Sequence, residues 1–378
     1  MDPMVDKDAD VVTYEIRITD PYGTTIKILE RFTSLDYSRK VNHIGELSLT
    51  TEDPDDKDVF LPENRIEVWR NNGTTARMDL DAVWFIHTVI PTYYASGAVM
   101  YEVQASDQIG ILDRRVIPYN EGNPTTEKQA EADDVIKDIM RENFGASAED
   151  SDRDLSDYIT VQADQTLGPQ VTIFCAKDNV YDTLKEIADT SYESGTFLAF
   201  DLVYNPDAGT FEFRTYINQR GVDRSVVYSA ESLIVGIEKG SLANIAFTDS
   251  RKDEKNYIYA GAKDLVGIVP IQTASDADSI AISPYHRREL FLNASSSDDA
   301  DELQDEANRS LEENRYRERF EATLAQEFAI ENYGDGFDIG DKVSVSFDGK
   351  IYTAFVDAIG VHVDTNGESI DVVLLGTD

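Results

Sequence analysis

A chain of 378 residues with 73 acidic and 34 basic side chains, for a formal charge of −39 at pH 7, is too acidic to clamp nucleic acid. Such a clamp needs clustered lysine and arginine to displace phosphate counterions; with 41% hydrophobic residues the chain is also too apolar to be disordered. Charge of this size repels itself unless salt shortens the Debye length, to about 3 Å at 1 M, so the composition points to a salt-loving source.

The length fits two or three domains. Met1–Asp10 is acidic and lacks an apolar stretch, so no signal peptide is expected. No run approaches the ~20 apolar residues of a membrane helix, and no membrane insertion is expected.

The first hundred-odd residues read as β. Val12–Ile18 alternates apolar and polar residues and meets Thr24–Leu29 across Asp20-Pro21-Tyr22-Gly23, a turn composition. Leu35–Val41 and Glu46–Thr51 follow, separated by Gly45. An acidic loop, Glu52–Asp58, leads to Arg65–Arg70, which ends at Asn71-Asn72-Gly73. Ala82–Pro91 and Ala98–Ala105 then flank Ala95-Ser96-Gly97. Seven or so short strands at this spacing predict a compact barrel or sandwich over 1–118, the first barrel-like β domain.

The period then becomes helical. Thr126 with Gln129 spells a capping box, and Ala132, Val135, Ile136, Ile139, Met140 and Phe144 share one helical face up to a stop at Gly145. A second helix is predicted from about Val180 to Ser194, burying Leu184, Ile187 and Ala188, capped by Asp178 or Asn179 and ended by Gly195. Thr196–Tyr204 and Thr210–Ile217 form a hairpin around Asp207-Ala208-Gly209. Residues 119–225 thus read as a small inserted α+β domain, with Glu149–Asp157 as a solvated acidic loop.

Residues 226–378 return to β and predict a second barrel-like domain with one helix. Asn256–Ala260 is a short strand and Asp276–Ser283 a polar connection. The helix runs from Ser297 to about Tyr316; Asp298, Asp299, Asp301 and Glu302 complement the dipole of its first turn. Ala300, Leu303, Ala307 and Leu311 make its apolar stripe. Val343, Val345 and Phe347 alternate up to a hairpin turn at Asp348-Gly349. Ile351–Val356 returns, and Val361–Val363 pairs across Asn366-Gly367 with Ser369–Leu374. No repeat with a period of 20–50 residues is visible. The expected fold class is α+β, mainly β: two barrel-like β domains around an inserted α+β unit.

Signatures of catalysis are missing. The chain has no nucleophile elbow, phosphate-binding glycine loop, dinucleotide fingerprint or zinc-protease motif. His43, His87, His286 and His362 are scattered, so a zinc site is not expected. Cys175, in the apolar run Val171–Ala176, reads as a small buried hydrophobe. Asp53-Pro54-Asp55-Asp56-Lys57-Asp58 and Asp298-Asp299-Ala300-Asp301 lack the calcium-loop pattern. Three glycosylation triplets, at Asn72, Asn293 and Asn308, read as chance without a secretory signal. Arg315, Arg317 and Arg319 fall where a helix ends, as its dipole favours. No catalytic, cofactor-binding or metal-binding residue is expected.

Four stretches in order carry a resemblance. They are Phe32–Thr50 (FTSLDYSRKVNHIGELSLT) with LPENRIEVWR at 61–70; LDRRVIPYNEG at 112–122 leading into ADDVIKDIMRENFG at 132–145; FEFRTYINQRGVDRS at 211–225; and PYHRRELFLNAS at 284–295 with YGDGFDIGDKVSVSFDGK at 333–350. Together they make the chain resemble the tail-tip, or baseplate, hub proteins of long-tailed phages and haloarchaeal tailed viruses, a lineage related to contractile-phage hubs. The turn at 261–267 departs from similar proteins by lacking an arginine.

The resemblance implies a non-enzymatic virion protein, assembled in the host cytoplasm, whose homotrimeric ring docks on the distal tail ring. Its lumen would hold part of the tape-measure protein and later pass DNA. Tail-fibre or receptor-binding subunits are further implied partners. The chain stops at Asp378, soon after its last strand, so adhesion and wall hydrolysis are expected of other subunits. Within the chain, Arg114 and Arg115 are expected to pair with acidic turns of the insert. Gln219–Arg224 is expected to be a subunit contact, and Gly340-Asp341 to start the last hairpin. Acids gathered on a pore wall would keep DNA from adhering. The alternatives are a carboxylate-dependent glycan hydrolase, supported by two acids meeting in an apolar cleft, and another β-rich tail component, a distal tail ring or fibre adaptor.

Overall fold

The computed structural model describes residues 12–29, 31–52, 58–71, 78–118, 127–193, 195–225, 232–248, 250–261, 271–293, 300–316 and 319–377. The α+β, mainly β class is borne out. The first region holds β1 (Thr13–Thr19), β2 (Thr25–Leu29), β3 (Ser34–Lys40), β4 (Glu46–Thr51), β5 (Arg65–Asn71), β6 (Asp79–Tyr93) and β7 (Val99–Asp107). Alternation drives them: in β4, Leu47, Leu49 and Thr51 are buried while Glu46 is exposed. The β1–β2 turn forms as its composition dictates, with Asp20 Oδ1 accepting from Tyr22 N at 2.9 Å and Thr24 N at 2.8 Å.

The middle region holds β8 (Glu127–Glu131), α1 (Ala132–Phe144), β9 (Ile159–Val161), β10 (Gln170–Phe174), α2 (Val180–Glu193), β11 (Leu198–Asn205) and β12 (Thr210–Ile217). The capping box at Thr126 and Gln129 does not form. Gln129 lies in β8, paired with Thr172 of β10, and α1 begins on Glu131 without a side-chain cap; Thr126 lies outside the described residues. Asn179 does cap α2, its Oδ1 accepting from Asp182 N at 3.3 Å. Val135, Ile139, Phe144, Leu184, Phe200 and Phe213 form a core that continues onto Val83 and Phe85 of β6.

The last region holds β13 (Ile234–Gly236), β14 (Leu242–Thr248), β15 (Tyr257–Gly261), β16 (Ile271–Ser275), α3 (Ala277–Ile280), β17 (Glu289–Asn293), α4 (Ala300–Asn314), β18 (Arg319–Leu324), α5 (Gln326–Asn332), β19 (Lys342–Phe347), β20 (Lys350–Asp364) and β21 (Gly367–Thr377). The sheet β16-β15-β17 packs Ile258, Ala260 and Ala274 on Leu303 and Ala307 of α4, a lobe with its own core. The expected helix start at Ser297, and the turn at 261–267 past Gly261, lie outside the described residues.

All other strands of the first and last regions join one 13-stranded sheet, ordered β14-β18-β21-β20-β3-β4-β7-β6-β5-β1-β2, with β19 also on β20 and β13 on β19. One apolar core runs beneath it, from Ile16, Leu35 and Ile66 to Val345, Ile359 and Val372. The two regions repeat a plan: β3-β4-β7-β6-β5 is laid out as β14-β18-β21-β20-β19, in the same chain order. The match extends to single residues. β6 and β20 each run 15 residues, and each bulges once against its hairpin partner, between Ile86 and Thr88 and between Val356 and Ala358.

The entry to each β5-type strand repeats as well. Glu63 at φ 71° and Gly340 at φ 81° are both left-handed. Glu63 N donates to Ile86 O at 3.0 Å and Ile86 N to Asn64 O at 2.9 Å; Gly340 N donates to Val356 O at 2.8 Å and Val356 N to Asp341 O at 2.9 Å. The flank differs, since β1 lies antiparallel to β5 whereas β13 lies parallel to β19. The two units meet where β3 runs antiparallel along the distal half of β20, from Ala358↔Lys40 to Val363↔Leu35.

Candidate functional site

No group of three or more His, Cys, Asp or Glu among the described residues is placed to hold a metal ion. The histidines are used separately: His43 beside the Val41 carbonyl at 2.8 Å, His87 beside Thr88 at 2.9 Å, His286 on Glu254 at 3.1 Å and His362 on Asp36. Cys175 is buried and burial pushes its thiol up to about 11, away from a reactive thiolate. Asp53, Asp55, Asp56, Asp298 and Asp299 lie outside the described residues. No described helix is long and apolar enough to cross a membrane.

The nearest approach to a nucleophile, base and acid lies in the small lobe. Buried Glu254 accepts from Ser279 Oγ at 2.5 Å and Arg251 Nη1 at 3.1 Å, with His286 Nε2 at 3.1 Å. Ser279 Oγ also accepts from Asn256 Nδ2 at 3.0 Å, so the hydroxyl is engaged by the acid and the amide rather than by the imidazole. A triad needs the serine proton aimed at the imidazole. This set ties loops together.

What the fold does bury is paired charge, once inside α1, where Lys137 meets Asp133 at 2.9 Å, and otherwise chiefly where the regions join. Arg70 of β5 grips Glu368 of β21 in bidentate fashion, Nε to Oε1 at 2.8 Å and Nη2 to Oε2 at 3.0 Å, with side chains 5% and 6% exposed. Its Nη1 donates to the Tyr333 carbonyl at 2.9 Å and its guanidinium lies 5.0 Å over the Tyr333 ring. Tyr14 donates to the same carboxylate, and burial pushes its phenol far above the ordinary range. Alongside, Arg39 of β3 bridges Asp81 of β6 at 3.1 Å and Asp338 at 3.2 Å. Tyr333 Oη donates to Asp81 at 2.6 Å, and Tyr37 donates to it as well.

The Gln219–Arg224 turn is anchored within the chain, with Val222 left exposed. Arg220 pairs with Asp201 of β11 and donates to the Ile339 carbonyl at 2.7 Å. Asp341, also buried, accepts from Val222 N at 2.6 Å and Arg224 Nε at 2.7 Å. Gly221 lies so close that a Cβ there would stand 2.1 Å from Asp341 Oδ1. Arg114 turns back to Glu63 at 2.6 Å instead of meeting the insert. Arg115 does reach it, donating to the carbonyls of Asn143 and Arg153 and lying 4.4 Å over the Phe144 ring. These pairings span long stretches of chain, so no local sequence signal marks them.

The other feature is the solvent face of the continuous sheet. A concavity of about 430 Å³ opens there across β7, β4, β3, β20 and β21, lined in part by Asp36, Glu46, Ser48, Gln104, His362 and Asp371. Three carboxylates line it and no lysine or arginine does, while Ser38, Ser48 and Gly360 keep it smooth. His362 of β20 donates to Asp36 of β3 across the join, and that hydrogen bond raises the imidazole's pKa. Without lysine or arginine, and with His362 held by Asp36, the lining is a poor seat for a phosphate.

The fold matches phage tail proteins. A tail protein from Neisseria meningitidis superposes with TM-score 0.55 at 13% identity, covering 97% of each chain. A 43 kDa prophage tail protein from Shewanella oneidensis gives 0.55 at 14% identity over 96% of this chain and 97% of the other. A chain of the Francisella PdpA–VgrG complex gives 0.55 at 10% identity over 97% of this chain and 52% of its own. No curated protein matches the sequence. The family model for Siphovirus ReqiPepy6 Gp37-like proteins matches residues 15–374, nearly the whole length, and the chain belongs to that family.

Proposed function

We propose that the chain is a structural, non-enzymatic subunit of a viral tail tip. It is the hub, a ring of three copies that closes the tail tube, docks on the distal tail ring, and releases the tape-measure protein and DNA. The observation that carries this reading is the duplicated β unit. Two equivalent units per chain give three copies six near-equivalent positions, which suits a sixfold tube end. The fold shared with tail proteins of Neisseria and Shewanella supports the location. The fold shared with a chain of the PdpA–VgrG complex supports assembly with other proteins.

The acidic concavity supports a passage role, because DNA sliding past Asp36, Glu46 and Asp371 meets no lysine or arginine there, and His362 is held by Asp36. The net charge of −39 supports a source rich in salt, as in a haloarchaeal virus. Immunogold labelling of intact particles tests the location: label at the tail end agrees, and label elsewhere refutes it. Far-UV circular dichroism tests the salt reading. Structure lost in low salt and regained in molar KCl agrees, whereas identical spectra contradict it.

A further inference from the structure

The duplication leaves one position filled in one unit and open in the other. The inner edge of β20 pairs with β19 over its first half and with β3 over its second half. The same edge of β6 pairs with β5 from Asp79 to Phe85, and no described strand pairs with it beyond. There Ile90 is 44% and Tyr93 69% exposed. At the far end of the sheet β14, the counterpart of β3, pairs only with β18 among the described strands, and its Phe247 is 37% exposed. Open strand edges carrying apolar side chains are templates for pairing.

We infer that β14 of one copy adds antiparallel to the distal half of β6 of the next, repeating between chains the β3–β20 join within the chain. The inference rests on the ring reading above and supplies its seam. The two bulges fix the register. Thr88 corresponds to Ala358 and Tyr93 to Val363, each counted from its bulge. Along the other strand, Leu242 occupies the place of Leu35 and Thr248 that of Lys40, because Leu324 of β18 stands where Leu49 of β4 does. The seam therefore sets Thr88 opposite Thr248, Val89 opposite Phe247, Ile90 opposite Ala246 and, beyond the one-residue bulge of β14 between Leu242 and Asn244, Tyr93 opposite Leu242. Val89 and Phe247 fall on the core side, so the apolar layer continues from copy to copy. Pro91, lacking an N–H, costs this ladder at most one hydrogen bond. The contact is head-to-tail, two different edges meeting, the kind that closes a ring when its rotation returns to the start.

Directly opposed Cα atoms in antiparallel strands lie about 4.5–5.5 Å apart, within disulfide reach. In a Cys175→Ala background, two full-length double variants place cysteines in register, Ile90→Cys with Ala246→Cys and Thr88→Cys with Thr248→Cys. A third, Ile90→Cys with Thr248→Cys, is out of register. Circular dichroism verifies folding, native mass spectrometry in a volatile salt counts copies, and copper-catalysed oxidation followed by denaturing gels reads the bond. The expected result is a covalent multimer from either in-register variant, at least about tenfold above the out-of-register variant and the single-cysteine controls. An assembled protein that gives no such bond overturns the seam and leaves the ring standing. Cross-linking of one position to itself in the single-cysteine controls also overturns it, since that requires a two-fold contact. A protein that stays monomeric at every salt concentration, both in solution and in particles, overturns seam and ring together.

Discussion

The first and last β units share a plan and differ in what they put at equivalent points. Ile66 and Val343, Ile86 and Val356, and Val103 and Val372 hold the same core places, and all are buried. Opposite Trp84, the first unit sets Asp107; opposite the equivalent Ala354, the last sets Gly376. Asp107 is buried against Gly45, whereas Gly376 lies beneath Phe320, where a Cβ would come 1.9 Å from the ring. A large side chain and a bare backbone have changed strands. A β unit needs alternation, bulge and turn from its sequence, and tolerates exchange of everything else that keeps volume and satisfies polar groups.

The largest expected effect comes from cutting the join between the units. Arg70→Ala leaves the buried Glu368 carboxylate without its counter-charge, with only the Tyr14 hydroxyl to solvate it, and should cost about 3–5 kcal/mol in denaturant unfolding. Replacing both, Arg70→Met with Glu368→Leu, should cost less than either alone. Equal or additive costs would mean the pair is not the fastening it looks to be. Gly376→Ala should cost about 1–3 kcal/mol by forcing Phe320 aside, while Gly45→Ala in the first unit meets the Ser38 carbonyl first, at 2.5 Å, and then Asp107 at 2.9 Å.

Asp107 gives the contrast a pH signature. Burial is the main cause that raises its carboxyl from 3.8 to about 7. The native state then holds a proton the unfolded chain has released, so this contribution is full below pH 4 and is lost as pH rises to 7. Subtracting the profile of Asp107→Asn should expose a declining slope worth at most about 4 kcal/mol. A flat difference would contradict it. The last unit, with Gly376 at that place, has no equivalent slope.

The smallest effect is at His362. Its hydrogen bond to Asp36 raises the imidazole, so the stabilisation is full below the ordinary value of 6.5 and disappears as pH rises through the raised one. Asp36→Asn should lower Tm by at most about 2 °C at pH 6 and leave it unchanged at pH 9.

Strands with one wet face were readable from sequence: Glu46–Thr51 and Thr210–Ile217 begin and end where alternation says. β14 was not, because Ala243, Asn244, Ala246, Phe247 and Thr248 are all exposed and no alternation survives on an edge that no described strand covers. β8 was read as a helix start because Thr126 and Gln129 have cap spacing, and only its partner β10 decides otherwise. The joins were invisible, since Arg70 and Glu368 stand 298 residues apart. The duplication hid for a related reason. Its shared positions keep only apolar character, which every strand has.

A reconstruction of the tail tip in intact particles, at a resolution that traces strands, tests the account most directly. It should hold three copies, with Leu242–Thr248 of each lying antiparallel to residues 88–93 of the next. Six copies, a solitary copy, or either strand edge left bare in the assembled tip would contradict it.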